Sequence, residues 1–282
     1  MSYPSNQLRD LSSLFLRSEV SRWFKGDFKS IDVKLHRYQL YEKYKGKTYL
    51  SFVKKTYKLL LKHYPNEYVL KNEFLNQWLK KELGCNSSII FNEFRIGNAI
   101  ADLAMFNGVS KAFEIKSILD KDYRLSNQLQ EYKKLFNEVY IIVPHEHLGR
   151  YIDFDNSIGV ISYSNDCNAF NLERKPKVNQ HVDIDTLMNV LHTKEYLKIS
   201  KNYYKELPMM NSFNQFDICK ELISSIENNQ LNHLFIEAMK ERKVNNLFFN
   251  KLNNELNQIC LSLNLKKTDR EDLISKLKTN TV

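Results

Sequence analysis

The chain has 282 residues, 43% hydrophobic and 27% charged, with 42 Lys and Arg against 33 Asp and Glu and a net charge of +9. That length can bury a sizeable core, and the composition excludes a disordered or fibrous chain. Seven Gly and five Pro leave little material for long flexible linkers, and no apolar stretch nears the ~20 residues that span a bilayer.

A basic surface attracts polyanions through counterion release, so nucleic acid is the first partner to expect. The four cysteines, Cys85, Cys167, Cys219 and Cys260, are far apart and form no CxxC pair. They read as buried thiols in a reducing compartment rather than as a disulfide framework or a zinc site. The first residues carry no apolar signal segment, so a cytoplasmic location is expected.

Residues 6–83 read as mostly helical. Between Arg22 and Lys62 the only acids are Asp27, Asp32 and Glu42, and the many Lys and Arg alternate with rings from Trp23 to Tyr57. Such rings can stack on bases beside phosphate-binding amines. They can equally form the apolar stripe of packed helices. The packing reading is preferred for the rings, while the charge stays available for binding.

The middle changes period. Residues 88–96 read as a strand, Gly97-Asn98 as a turn, 100–106 as a second strand and 110–118 as a third, after a turn at Asn107-Gly108. Residues 122–137 have helical spacing through Leu125, Leu129, Tyr132 and Phe136. The run 139–143, stopped by Pro144, reads as a buried parallel strand, and 158–164 as a fifth strand. The order is β-β-β-α-β, with the helix as a right-handed crossover. From residue 183 the pattern is helical again, at 185–198, 216–227, 231–242, 246–263 and 270–277. The expected organisation is a basic helical region over 1–65, a core over 66–165 and a helical accessory region over 183–282.

The chemistry concentrates in Ala101-Asp102-Leu103 and Phe113-Glu114-Ile115-Lys116-Ser117. Strand alternation puts Glu114 and Lys116 on one face and Phe113 and Ile115 on the other. A three-residue connection, Asn107-Gly108-Val109, sets Phe106 opposite Ser110 and therefore Asp102 opposite Glu114. A two-residue Asn-Gly turn shifts the register by one and turns Asp102 into the core, where an unpaired carboxylate is costly. The first alternative fits the chemistry, although Asn-Gly by itself suggests the second. Two converging carboxylates repel unless a cation neutralises them. They suit a hard divalent ion such as Mg²⁺, with a lysine beside it to assist the attacking water. A plain surface Glu–Lys pair is the competing explanation.

These residues resemble the PD-(D/E)XK nuclease superfamily over about residues 66–164. Asp102 matches the motif's aspartate, and Glu114-Ile115-Lys116 matches (D/E)-x-K. Ala101 stands where the short motif has proline. The resemblance implies an α/β, restriction-endonuclease-like core with a mixed sheet flanked by helices. It implies phosphodiester hydrolysis with Mg²⁺, or Mn²⁺ as its substitute, on DNA in preference to RNA. Asp102, Glu114, Lys116 and Gln128 are the implied catalytic residues, with Asp102, Glu114 and Glu67 as metal ligands. Glu73 and Glu93 are alternatives to Glu67. Arg124 and Tyr132, on one helical face with Gln128, are implied to steady the site or touch the substrate. A homodimer or a defence-system partner is an expectation of the same kind.

His145-Glu146-His147 lacks the His-Glu-x-x-His spacing of a zinc protease and reads as a polar loop. A P-loop, a dinucleotide fingerprint and a nucleophile elbow are all missing. Two rivals remain: a non-catalytic nucleic-acid-binding module on the same fold, and an interaction protein working through its helical tail.

Overall fold

The helical pattern of the first third becomes a run of short helices, broken wherever a cap or an extended residue interrupts it. In the computed structural model, which describes residues 3–82, 88–117, 123–244 and 252–281, these are α1 (Ser5–Ser12), α2 (Arg17–Trp23), α3 (Lys29–Arg37), α4 (Tyr41–Tyr44) and α5 (Tyr49–His63). Then α6 (Glu67–Phe74) runs through a π-helical segment, Leu75–Leu79, into α7 (Lys80–Glu82). The aromatics of this region are largely core: Trp23, Tyr49, Phe52 and Tyr57 are buried. Lys25, Lys29, Lys55 and Lys58 are exposed, as the packing reading expects, whereas Lys34 is buried against Asp10.

Six strands follow in one sheet, ordered β1-β2-β3-β4-β5-β6. They are β1 (Ile89–Ile96), β2 (Ala99–Phe106), β3 (Ser110–Ile115), β4 (Glu138–Pro144), β5 (Gly159–Ser164) and β6 (Ala169–Arg174). The first three form an antiparallel meander, β4 and β5 are parallel to β3, and β6 returns antiparallel. The connection from β3 to β4 carries α8 (Leu125–Lys133), and α9 (Leu148–Tyr151) precedes β5. Phe106 faces Ser110, so the β2–β3 connection is the three-residue one. Gly108, with φ +101, supplies the left-handed turn conformation.

The sheet divides two apolar layers. Leu103, Met105, Phe113 and Ile115 pack with α1–α6 and with α14 (Asn257–Ser262) and α15 (Lys267–Leu277). Ala104, Phe106, Ala112 and Ile141 pack with α8 and with α10 (Ile184–Val190), α11 (Thr193–Tyr204), α12 (Gln215–Ser224) and α13 (Asn228–Lys240). The last turn of the chain returns to the first layer, where Asn280 bridges to Thr48. Among the described residues no helix is long and apolar enough to cross a membrane.

Several expectations need correction. β3 stops at Ile115, although Lys116 N still donates to Ile142 O at 2.8 Å; Ile118 lies outside the described residues. The single helix expected over 185–198 is two helices. Leu191 is extended, and His192 with Glu195 forms a capping box that starts α11. The helix expected over 246–263 begins outside the described residues; after them come a 3₁₀ turn and then α14. β6 was missed because its side chains are mostly half or fully exposed, leaving little apolar alternation to read. Cys219 and Cys260 are buried thiols, but Cys167 is exposed; Cys85 lies outside the described residues.

Candidate active site

The site starts at a helix cap. The Asn66 side chain accepts from Val69 N at 3.2 Å, which fixes where α6 begins. Glu67 and Lys71 then fall one turn apart on one face, and their side chains meet at 2.5 Å. Glu67 is exposed, whereas the Lys71 side chain is only 4% exposed. The Lys71 ammonium also lies 2.7 Å from Asp102 Oδ1, so it bridges the helix and β2.

Asp102 and Glu114 form the next position along the β2–β3 ladder, which ends at Leu103 opposite Phe113. The sheet is irregular on the other side as well. β1 pairs Asn92 with Leu103 and Phe94 with Ala101, leaving Glu93 opposite Asp102 with φ +55. Across this row the alternation of both strands slips. Ala101 and Ala104 face the same layer, as do Phe94 and Ile89. A residue at such a slip can lay its side chain along the sheet, and the Asp102 carboxylate does so: Oδ2 accepts Ile115 N–H at 2.7 Å.

Glu114 is buried on β3. Its Oε1 accepts from Lys116 Nζ at 2.8 Å, and its Oε2 lies 2.7 Å from the Tyr132 hydroxyl. That hydroxyl is also 2.7 Å from Ile100 O, so its single proton is shared between two acceptors. Gln128 Oε1 stands 3.5 Å from Lys116 Nζ, a long contact.

Charge in the cluster does not balance. With every carboxyl ionised, Glu67, Asp102 and Glu114 face Lys71 and Lys116 with one negative charge over, an excess that a proton on Asp102 relieves. Burial, opposed by Lys71 and reinforced by Glu114 and Glu67, pushes the Asp102 carboxyl up to about 7. Burial and the charge of Glu114 hold the Tyr132 phenol far above its usual range. Burial alone would lower the Lys71 ammonium, but Asp102 and Glu67 outweigh it and raise it.

A cleft of about 640 Å³ opens beside this cluster. Glu67 and Lys71 form part of its wall, together with Arg9, Arg17, Tyr68 and Gln258. Arg9 is exposed, and Arg17 is paired with Glu93 at 2.7 Å.

Of the residues singled out in sequence, the structure joins Asp102, Glu114, Lys116, Gln128, Tyr132 and Glu67 into one network. Tyr132 is fully buried, with its hydroxyl turned onto Glu114. Arg124 stays apart, its guanidinium 5.0 Å over the Tyr123 ring at the exposed start of α8. Glu73 belongs to a separate buried network, bonded by Tyr57 at 2.6 Å, Gln77 at 2.7 Å and Asn168 at 3.3 Å. Glu93 is taken by Arg17. His145-Glu146-His147 forms a 3₁₀ turn after β4. Lys71 is the member that sequence reasoning missed. Its spacing from Glu67 signals an ion pair, but nothing local signals Asp102.

The family model described as Bacteriophage P4 protein cII matches residues 61–265, a span that contains every member of the cluster. Protein cII of Enterobacteria phage P4 is 28% identical over 211 residues, covering 72% of this chain and 79% of that protein. A solved protein of unknown function from Silicibacter pomeroyi aligns with a TM-score of 0.33 and 11% identity, over 49% of this chain and 93% of the other. The chain belongs to the bacteriophage P4 protein cII family.

Proposed function

We propose that this protein is a metal-dependent nuclease, hydrolysing phosphodiester bonds of DNA in preference to RNA, on a restriction-endonuclease-like core. The observation that carries this reading is the meeting of half-buried Asp102 with buried Glu114 and Lys116, joined through Lys71 and Glu67 to the wall of an open cleft. It is supported by the resemblance of these residues to the PD-(D/E)XK motif, by the antiparallel meander leading into a parallel β4, and by the net charge of +9.

The donors suit Mg²⁺ or Mn²⁺ in kind. They are hard carboxylate oxygens, and once Asp102 is ionised the cluster carries one unbalanced negative charge. Asp102 and Glu114 would hold the ion, with Glu67 at the cleft wall as a third donor. When bound, a divalent cation supplies a Lewis acid that polarises a phosphoryl oxygen and acidifies a water. Lys116 holds its ammonium against Glu114, where it can orient that water or offset the charge developing on phosphate. Tyr132 and Ile115 N–H each hold one oxygen of these carboxylates and so fix their orientation. Arg9 and Arg17 on the cleft wall can meet the phosphate backbone.

One observation favours a second reading. Each oxygen of Asp102 and Glu114 already has a protein partner. A non-catalytic nucleic-acid-binding protein on the same fold would keep such a closed set. Incubating supercoiled plasmid with the full-length protein and Mg²⁺ or Mn²⁺ separates the two. A nuclease nicks the plasmid, and Lys116→Gln slows it by about 100-fold or more. Plasmid binding without nicking in either protein favours the second reading.

A further inference from the structure

Lys71 has no part in the reaction outlined above, yet it occupies the centre of the cluster. Its ammonium lies 2.7 Å from Asp102 Oδ1 and 2.5 Å from Glu67 Oε1, and its side chain is 4% exposed. Removing an ammonium from water is costly, and here two carboxylates from different elements offset that cost. The same two oxygens are hard donors on which a divalent cation would draw. An ammonium and a divalent cation repel one another, so both cannot sit between Asp102 and Glu67 at once. Lys71 also has somewhere to go, because it lines the wall of the open cleft on a flexible four-carbon stem.

We propose that Lys71 is a resident counter-cation that competes with divalent metal for Asp102 and Glu67, so that metal loading requires Lys71 to swing out toward the cleft. The proposal rests on the carboxylate cluster being the metal site of the nuclease reading. Lys116 stands 2.8 Å from the other ligand, Glu114, and its charge adds to the same repulsion, but Lys71 is the cation placed between Asp102 and Glu67. Among the described residues no three His, Cys, Asp or Glu side chains converge to hold an ion by themselves. The departure of Lys71 frees one oxygen of Asp102 and one of Glu67 at once, so the metal affinity of the site is expected to rise when Lys71 loses its charge.

The test is Mn²⁺ binding to the full-length chain, followed by calorimetry and by the paramagnetic signal of free Mn²⁺, with no nucleic acid present. Lys71→Met is expected to bind Mn²⁺ at least about tenfold more tightly than the wild type, because a competing unit charge is gone. The gain should disappear in Lys71→Met/Glu67→Gln, which lacks the released donor, and binding should collapse in Asp102→Asn. Lys71→Gln, which keeps hydrogen-bonding capacity without charge, should show the same gain and a larger Mn²⁺-induced rise in melting temperature than the wild type. That rise also reads out the competition if either variant is poorly folded without metal. Equal or weaker Mn²⁺ binding in both Lys71 variants, with Asp102→Asn still deficient, overturns the competition and leaves the nuclease reading standing. Binding that is indifferent to Asp102→Asn removes the metal site and both ideas with it.

Discussion

Asp102 takes the backbone N–H of Ile115 on its carboxylate at 2.7 Å, just beyond the point where the β2–β3 ladder ends. A side chain thus supplies the acceptor that a backbone carbonyl supplies within the ladder. Ile115 lies between Glu114 and Lys116, so this bond fixes Asp102 relative to both. The bond also ties the carboxylate to the sheet while Lys71 holds its other oxygen from α6.

The Asp102 carboxyl is raised by burial and by its acidic neighbours to about 7, from an ordinary 3.8. A raised acid favours the folded state while protonated. Its contribution is complete below about pH 4 and is lost as pH rises through about 7. Stability should therefore fall across that window, and Asp102→Asn should flatten the fall. Denaturant melts at pH 4.5, 6 and 8 check this. Equal pH slopes in the two proteins would show that Asp102 titrates normally.

Tyr132→Phe removes the hydroxyl that meets Glu114 and Ile100 O and leaves a buried carboxylate oxygen short of a donor. A loss of about 1–3 kcal/mol is expected from urea unfolding. Nicking should fall as well, since Glu114 would no longer be held. An unchanged midpoint would mean that the hydroxyl is not engaged as described.

Glu73→Gln touches a different network, the one shared with Tyr57, Gln77 and Asn168. It should lower stability by about 1–2 kcal/mol and leave the rate of plasmid nicking within about twofold of the wild type. A large loss of nicking in a protein of near-normal stability would place Glu73 in the chemistry after all.

Cutting the chain after residue 183 should not yield a working core. Leu256, Ile259, Leu273 and Leu277 are buried in the layer that contains α6, and Asn72 at the heart of α6 donates to Asn254 O at 2.9 Å. Removing that much apolar surface exceeds the stability of an ordinary domain. The truncated protein is expected to aggregate or to lose near-UV dichroism. A cooperative melt of residues 1–183 would refute this.

Arg9→Ala and Arg17→Ala each remove one cation from the cleft wall. Each should weaken DNA binding and reduce the salt slope of the binding constant by about one. Fluorescence anisotropy at several salt concentrations measures this. A slope unchanged in both variants would move the nucleic-acid surface elsewhere.

Much of this was legible in sequence where one strong local signal sufficed. The alternation in 110–115 and the count back from Phe106 placed Asp102 level with Glu114 across neighbouring strands. Helical spacing put Gln128 and Tyr132 on a common face. Three things were out of reach. The slip of alternation at Glu93 and Asp102 depends on a backbone conformation that neither residue type announces. Lys71 meets Asp102 across more than thirty residues of chain, a tertiary contact with no local trace. β6 and the return of α14 and α15 to the first layer leave no distinctive periodicity, because the strand is largely solvent-facing and the helices are short.

The central claim is that Asp102 and Glu114 share a divalent cation. Crystals of the full-length protein soaked in Mn²⁺ and measured at the manganese edge test it most directly. A metal nuclease of this mechanism gives an anomalous peak within about 2.5 Å of oxygens from both carboxylates, next to Lys116. Ordered Mn²⁺ elsewhere in the crystal, with the two carboxylates still holding only their protein partners, would contradict it.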